Sequence, residues 1–134
     1  MPSVLVDSNI LIDLLNEDSH WYSWSARAVA EIGSVSRLVI NQIIYAEASV
    51  ALDSIEEMDE GLPSGLFERE SIPYEAAFLA GKAYVSYRRR KGVRRSPLPD
   101  FFIGAHAAVA GHALLTRDPS RYRAYFPTVK LIAP

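Results

Sequence analysis

Three short apolar runs constrain this chain most: Ser3 to Val6, Leu38 to Ile40 and Ala113 to Thr116. None carries a charge, and each breaks off at or just before a polar residue. A strand with no polar alternation has two faces to cover, as in a parallel sheet between helices. Leu66 to Ile72 and Val129 to Ile132 read as further strands. The stretches between them read as helices. Ser8 or Asn9 can cap one through Ile10, Leu11, Leu14 and Leu15, and Trp21 to Ile32 forms a second. Gln42 to about Asp59 reads as one long helix, Glu75 to about Lys91 as another, and Pro99 to about Ala110 as the last. This alternation predicts an α/β sandwich with a parallel sheet.

At 134 residues, with no repeat and no Pro-, Gly- or Ser-rich linker, the expected organisation is one domain over residues 1–134. The absence of cysteine excludes disulfides, thiolate metal sites and a cysteine nucleophile. Met1 to Asp7 lacks the basic start of a signal peptide. The longest uncharged apolar stretch, Phe101 to Leu115, is too short and too broken by Gly and His to span a bilayer. A cytoplasmic protein that does not engage membranes is the expectation.

The charge is divided unevenly. Residues 1–81 hold 14 acids and 3 bases; residues 82–134 hold 2 acids and 11 bases. An acidic run (Asp53, Glu56, Glu57, Asp59, Glu60) reads as a solvated helix face. A basic run, Arg88, Arg89, Arg90, Lys91, Arg94 and Arg95, exceeds what a helix C-terminus needs and suits a nucleic-acid backbone.

Four carboxylates stand out against this background. Asp7 and Asp118 each follow an apolar strand, so in one parallel sheet both emerge at its carboxyl edge, where α/β proteins bind ligands. Either alone could simply cap the next turn. On the expected long helix, Glu47 falls among Ile43, Ile44, Val50, Ala51, Ile55 and Met58, on the apolar side. A carboxylate there requires an ion pair or a metal. Asp100 opens a helix that is uncharged from Phe101 to Gly111, where the amide dipole favours an acid. Gathered at one edge, four carboxylates would repel unless cations neutralised them. An all-oxygen set suits Mg²⁺ or Mn²⁺ rather than zinc. Ser8, Asn9, Asn41 and Thr116 lie near the acids in sequence and could orient them. Such a cluster is a standard device for phosphodiester hydrolysis.

The segments Val-Leu-Val-Asp7-Ser8-Asn9-Ile-Leu, Ile-Tyr-Ala-Glu47, Pro-Asp100-Phe-Phe-Ile-Gly-Ala-His-Ala and Leu-Leu-Thr116-Arg117-Asp118 together resemble the PIN domain, and more narrowly the VapC-type toxins of type II toxin–antitoxin systems. The resemblance runs in order from position 3 to 132. It implies a three-layer α/β/α sandwich with a four- or five-stranded parallel sheet, and Mg²⁺- or Mn²⁺-dependent endoribonuclease activity. By motif position Asp7, Glu47, Asp100 and Asp118 would be catalytic, with Asp7, Asp100 and Asp118 as metal ligands and Ser8, Asn9, Asn41 and Thr116 in support. It also implies an RNA substrate, a cognate antitoxin protein and a homodimer. The alternative is a non-catalytic RNA- or partner-binding module on the same fold.

His20, His106 and His112 read as structural. Trp21, Tyr22 and Trp24 read as core or as a groove for a partner, and Tyr84, Tyr87 and Tyr122 as core edge or as base-stacking platforms. Arg117 is the base nearest in sequence to the acids.

Overall fold

A computed structural model describes residues 2–91 and 97–134. Its strands are β1 (Ser3–Val6), β2 (Arg37–Ile40), β3 (Phe67–Arg69), β4 (Ala113–Leu115) and β5 (Leu131–Ile132). They form one sheet in the order β3-β2-β1-β4-β5, with every neighbouring pair parallel. Central β1 sets Val4 and Leu5 against Leu38 and Val39 on one side, and Leu5 and Val6 against Leu114 and Leu115 on the other. All these side chains are buried, which is why the runs carry no polar alternation.

The helices are α1 (Ser8–Leu14), α2 (Tyr22–Gly33), α3 (Gln42–Ser49), α4 (Ile55–Gly61), α5 (Tyr74–Lys91), α6 (Leu98–Ala110) and α7 (Ser120–Tyr125). Crossover handedness sorts them into layers. The chain steps one way from β1 to β2 to β3, which places α1 to α4 on one face. It then crosses back to β4 and β5, which places α5 to α7 on the other. Packing agrees: α1 lies against α2 and α3, and α6 against α5 and α7. The reversal falls between β1 and β4, so the carboxyl ends of those two strands flank the crevice of this three-layer sandwich.

Two expectations about elements need correction. The long helix from Gln42 is two helices, α3 and α4, broken over residues 50–54. Ser54 caps α4: its Oγ accepts from Glu57 N–H at 3.1 Å, while Glu57 Oε1 accepts from Asp53 N–H at 2.9 Å. The Ser54 cap, with Glu57 reaching back to the residue before it, starts a new helix where the first would have run on. Val50, Ala51 and Ile55 are therefore exposed and form no stripe with Ile44. Second, α7 follows β4 where no helix was expected.

Helix α6 is the buried one, with Phe101, Ile103, Gly104, Ala105, His106 and Ala107 all inaccessible. A Cβ at Gly104 would lie 2.4 Å from Phe126 Cδ2 and 2.6 Å from its Cε2. Phe126 is itself held against Phe101, at 6.1 Å between centroids. Gly104→Ala gains helix propensity of about 1 kcal/mol but overpacks by about 2–3 kcal/mol. A net loss of about 1–2 kcal/mol, read by urea denaturation, is expected. An unchanged midpoint would show that Phe126 moves freely. No helix among the described residues is long and apolar enough to cross a membrane.

Candidate active site

Asp7 ends β1 and is itself the N-cap of α1, a place expected for Ser8 or Asn9. Its Oδ1 accepts from Ser8 N–H at 2.7 Å. Its Oδ2 accepts from the hydroxyls of Thr116 at 2.8 Å and Tyr122 at 2.9 Å. Burial nevertheless outweighs these donors, and with the nearby charge of Asp100 it raises the Asp7 pKa to about 6. Tyr122 is 2% exposed. Burial and the charges of Asp7, Asp100 and Glu47 push its pKa well above the ordinary phenol value, so it remains a donor.

Glu47 projects from α3, half-buried, and its Oε1 accepts from Ser8 Oγ at 2.7 Å. Burial raises its pKa, and Asp100 adds to the shift. Asp100 lies in the first turn of α6. Its Oδ2 accepts from Arg121 Nη1 at 2.5 Å. The charge of Asp100, on α6, thus acts on both Asp7, just past β1, and Glu47, on α3, at the switch point of the sheet. Helices α3 and α6, from opposite layers, also touch.

The other expected residues divide. Thr116 and Ser8 hold acids directly, as above. Asn9 Nδ2 donates to Thr116 Oγ1 at 3.2 Å, and its Oδ1 accepts from Arg117 N–H at 3.2 Å. Asp118 lies on the same loop, exposed, with its N–H on Thr116 Oγ1 at 3.1 Å. Its carboxylate stands outside the inner three. Asn41 does not join the acids. Its Oδ1 caps α3 through Ile44 N–H at 3.0 Å, and its Nδ2 meets His106 Nδ1 at 3.0 Å. Arg117 turns away as well: it forks onto Asp13, with Nε at 2.6 Å and Nη2 at 3.1 Å, and its guanidinium lies over Trp21. Burial opposes ionisation of Asp13, but Arg117, Ser25 and Ser19 hold its pKa below the ordinary value. The base beside the acids is Arg121.

Of the basic run, Arg88, Arg89 and Arg90 are exposed at the end of α5. Arg88 Nη1 donates to Tyr84 Oη at 3.2 Å, and Arg90 lies over the Tyr125 ring. Arg94 and Arg95 fall outside the described residues, and so does the Lys91 side chain.

A second polar cluster was not expected. Glu70 Oε2 sits between His106 Nε2 at 2.7 Å and His112 Nε2 at 2.6 Å. Among the described residues, these three alone bring His, Asp or Glu ligand atoms within 4.8 Å of one another. Hydrogen bonding decides what the cluster is. Asn41 spends its carbonyl oxygen on the cap, so its amide group faces His106 Nδ1, which must accept. His106 is then the neutral tautomer with N–H on Nε2, pointed at Glu70. Burial lowers its pKa, which keeps it neutral. A protonated Nε2 is no metal ligand, so the cluster is a buried hydrogen-bond tie. The expectation of structural histidines stands for His106 and His112.

Comparison with known proteins follows this geometry. A family model described as PIN domain matches residues 4–127. No curated protein matches the sequence. Solved structures of similar fold include VapBC2 from Rickettsia felis bound to a promoter DNA fragment, at TM-score 0.72 and 16% identity, covering 98% of each chain. VapBC-1 from nontypeable Haemophilus influenzae aligns at TM-score 0.71 and 18% identity, covering 98% of this chain and 97% of that one. A toxin–antitoxin complex from Klebsiella pneumoniae aligns at TM-score 0.62 and 23% identity, covering 94% of each.

Proposed function

The chain belongs to the PIN domain family, and from that premise we propose that it is a Mg²⁺- or Mn²⁺-dependent endoribonuclease, the toxin of a toxin–antitoxin pair. One observation carries the reading: Asp7, Glu47 and Asp100 share a crevice in which Asp7 and Glu47 are harder to ionise than free carboxyls. Burial is the main cause and the charge of Asp100 adds to it, and buried carboxylates so grouped fit a divalent cation with oxygen preference. Asp7 and Asp100 would hold it, with Asp118 reaching in from the rim. When bound, such an ion lowers the pKa of an attacking water and offsets charge at the scissile phosphate.

The chain's own groups do the remaining work. Ser8, Thr116 and Tyr122 fix the Asp7 carboxylate in one orientation, so no ordering is needed on loading. Glu47 has one hydroxyl donor on Oε1, which leaves Oε2 to take a proton from the attacking water. Its raised pKa makes it a stronger base than an ordinary carboxylate. Arg88, Arg89 and Arg90 hold the RNA backbone through phosphate contacts that weaken with salt. The structures of like fold are toxin–antitoxin complexes, which supports an antitoxin protein as partner. A homodimer belongs to the same reading.

The test is cleavage of total RNA with millimolar MgCl₂ or MnCl₂. Cleavage that EDTA abolishes is expected. A folded protein that binds RNA with a steep salt dependence, yet cuts none with either metal, would establish the binding-module reading instead.

A further inference from the structure

Helix α7 is six residues long, but it reaches two of the three inner acids with adjacent side chains. Tyr122 takes Asp7, and Arg121 takes Asp100. Arg121 is the described cation paired with any of the four expected acids. Its guanidinium also lies over the Tyr87 ring, 5.8 Å from the centroid. It cannot shed its proton, so its charge can be moved but not switched off. Both partners of the pair are about one-third exposed, 36% for Arg121 and 35% for Asp100. The side chain therefore has a path to solvent. Asp100 is also the acid whose charge acts on both Asp7 and Glu47. A cation placed on Asp100 is the one that relieves the whole cluster.

A divalent cation entering this crevice meets that guanidinium on Asp100, one of the acids proposed to hold it. Like charges a few ångströms apart in a partly dry site repel. We infer that Arg121 is a built-in counter-ion: it holds Asp100 in the metal-free protein and competes with the divalent cation for it, so that loading drives the guanidinium off Asp100 to the rim of the crevice. This rests on the metal-dependent reading above. It adds that metal affinity is set partly by a residue that binds no metal, and that loading releases a cation where the RNA phosphate arrives. Arg121 is thus a positioning residue.

Calorimetric titration of metal-free protein with MnCl₂ tests this without recourse to activity. Arg121→Gln removes the competitor, and Mn²⁺ should bind about 3–10-fold more tightly than to wild type. Arg121→Lys keeps a charge but loses the planar fork, and should fall between the two. Melting gives a second readout. The metal-free Arg121→Gln protein should melt lower than wild type, and its gain on adding Mn²⁺ should be larger. Unchanged or weaker Mn²⁺ binding by folded Arg121→Gln would overturn the inference while leaving the nuclease reading intact. If wild type itself bound no Mn²⁺, the metal-dependent reading would fail first. Should Arg121→Gln not fold, the Lys variant decides: equal or weaker affinity than wild type overturns the inference.

Discussion

Asp7→Asn is expected to abolish metal-dependent RNA cleavage, by about 10³-fold or more, while making the metal-free protein more stable at neutral pH. The two effects have one cause. Groups that merely orient a ligand are worth about 10–100-fold, so removing a carboxylate of the cluster costs more. In the metal-free protein that same carboxylate is a burden. Its pKa stands at about 6 against 3.8 for a free side chain, chiefly because it is buried. That difference is about 3 kcal/mol of native-state penalty once Asp7 is ionised. A carboxyl whose folded pKa is raised favours the native state below the unfolded value, and the benefit is lost as pH rises through the folded value. The advantage of Asp7→Asn should thus be near zero at pH 4, grow between 4 and 6, and be full above about 7. Asn keeps an oxygen for Ser8 N–H and turns its amide toward the Tyr122 and Thr116 hydroxyls, of which Tyr122 can readily accept. Some hydrogen-bond energy is lost, which leaves a gain of about 1–2 kcal/mol, several degrees in Tm for a chain of this size. Scanning calorimetry at pH 4, 5.5 and 7.5 in EDTA checks it. A lower Tm for Asp7→Asn at pH 7.5 would mark Asp7 as a structural anchor instead.

The parts of this site that the sequence discloses are those fixed by local chemistry. Asp7 is legible because Val-Leu-Val must be a covered strand, and a strand has to end somewhere. Asp100 is legible because a helix with no charge for eleven residues must be buried, which makes its first-turn acid conspicuous. Glu47 was found for a partly mistaken reason. The apolar stripe expected around it runs through the Ser54 N-cap of α4, whose Ser-x-x-Glu signature is present in the sequence. The acid is half-buried through its tertiary setting, not through its helix. Arg121 carries no signal in the sequence, and Tyr122 reads there only as core edge or a stacking platform. A six-residue helix shows no period, and the partners of these residues lie 21 and 115 positions away. The same holds for Glu70, which meets its histidines across 36 and 42 residues. Long-range polar pairing leaves no mark on local pattern. Here it decides which cation sits on which acid.

Loss of Glu70 should weaken the fold through unpaired polar groups. Its Oε2 meets both imidazole Nε2 atoms, and the N–H of His106, which is 0% exposed, has no other acceptor. Glu70→Ala leaves the His106 N–H and the His112 Nε2 both without a partner, at about 1–3 kcal/mol each. Glu70 also lines a cavity of about 300 Å³ with Ile40, Asn41, Gln42 and Tyr45. Water entering there can satisfy one donor, which brings the expected loss to about 2–4 kcal/mol. Glu70→Gln should cost less, about 1 kcal/mol, and the reason is a tautomer. Ser3 Oγ, on His112 Nδ1 at 2.5 Å, can accept as readily as it donates. His112 can then move its proton to Nδ1 and receive the Gln amide on Nε2. His106 has no such freedom, because Asn41 is committed to its cap. The pH dependence carries the same mark. Burial depresses the His106 pKa below 6.5, so its contribution is full above pH 6.5 and is lost as pH falls through the folded value. Glu70, despite its partial burial, is held below 4.5 by His112 and His106, and its share is lost only at lower pH. Urea denaturation of wild type, Glu70→Gln and Glu70→Ala at pH 7.5 should rank them in that order. Equal stabilities for Gln and Ala would show that the tautomer of His112 is locked, and a neutral Glu70→Ala would show that both histidines find water.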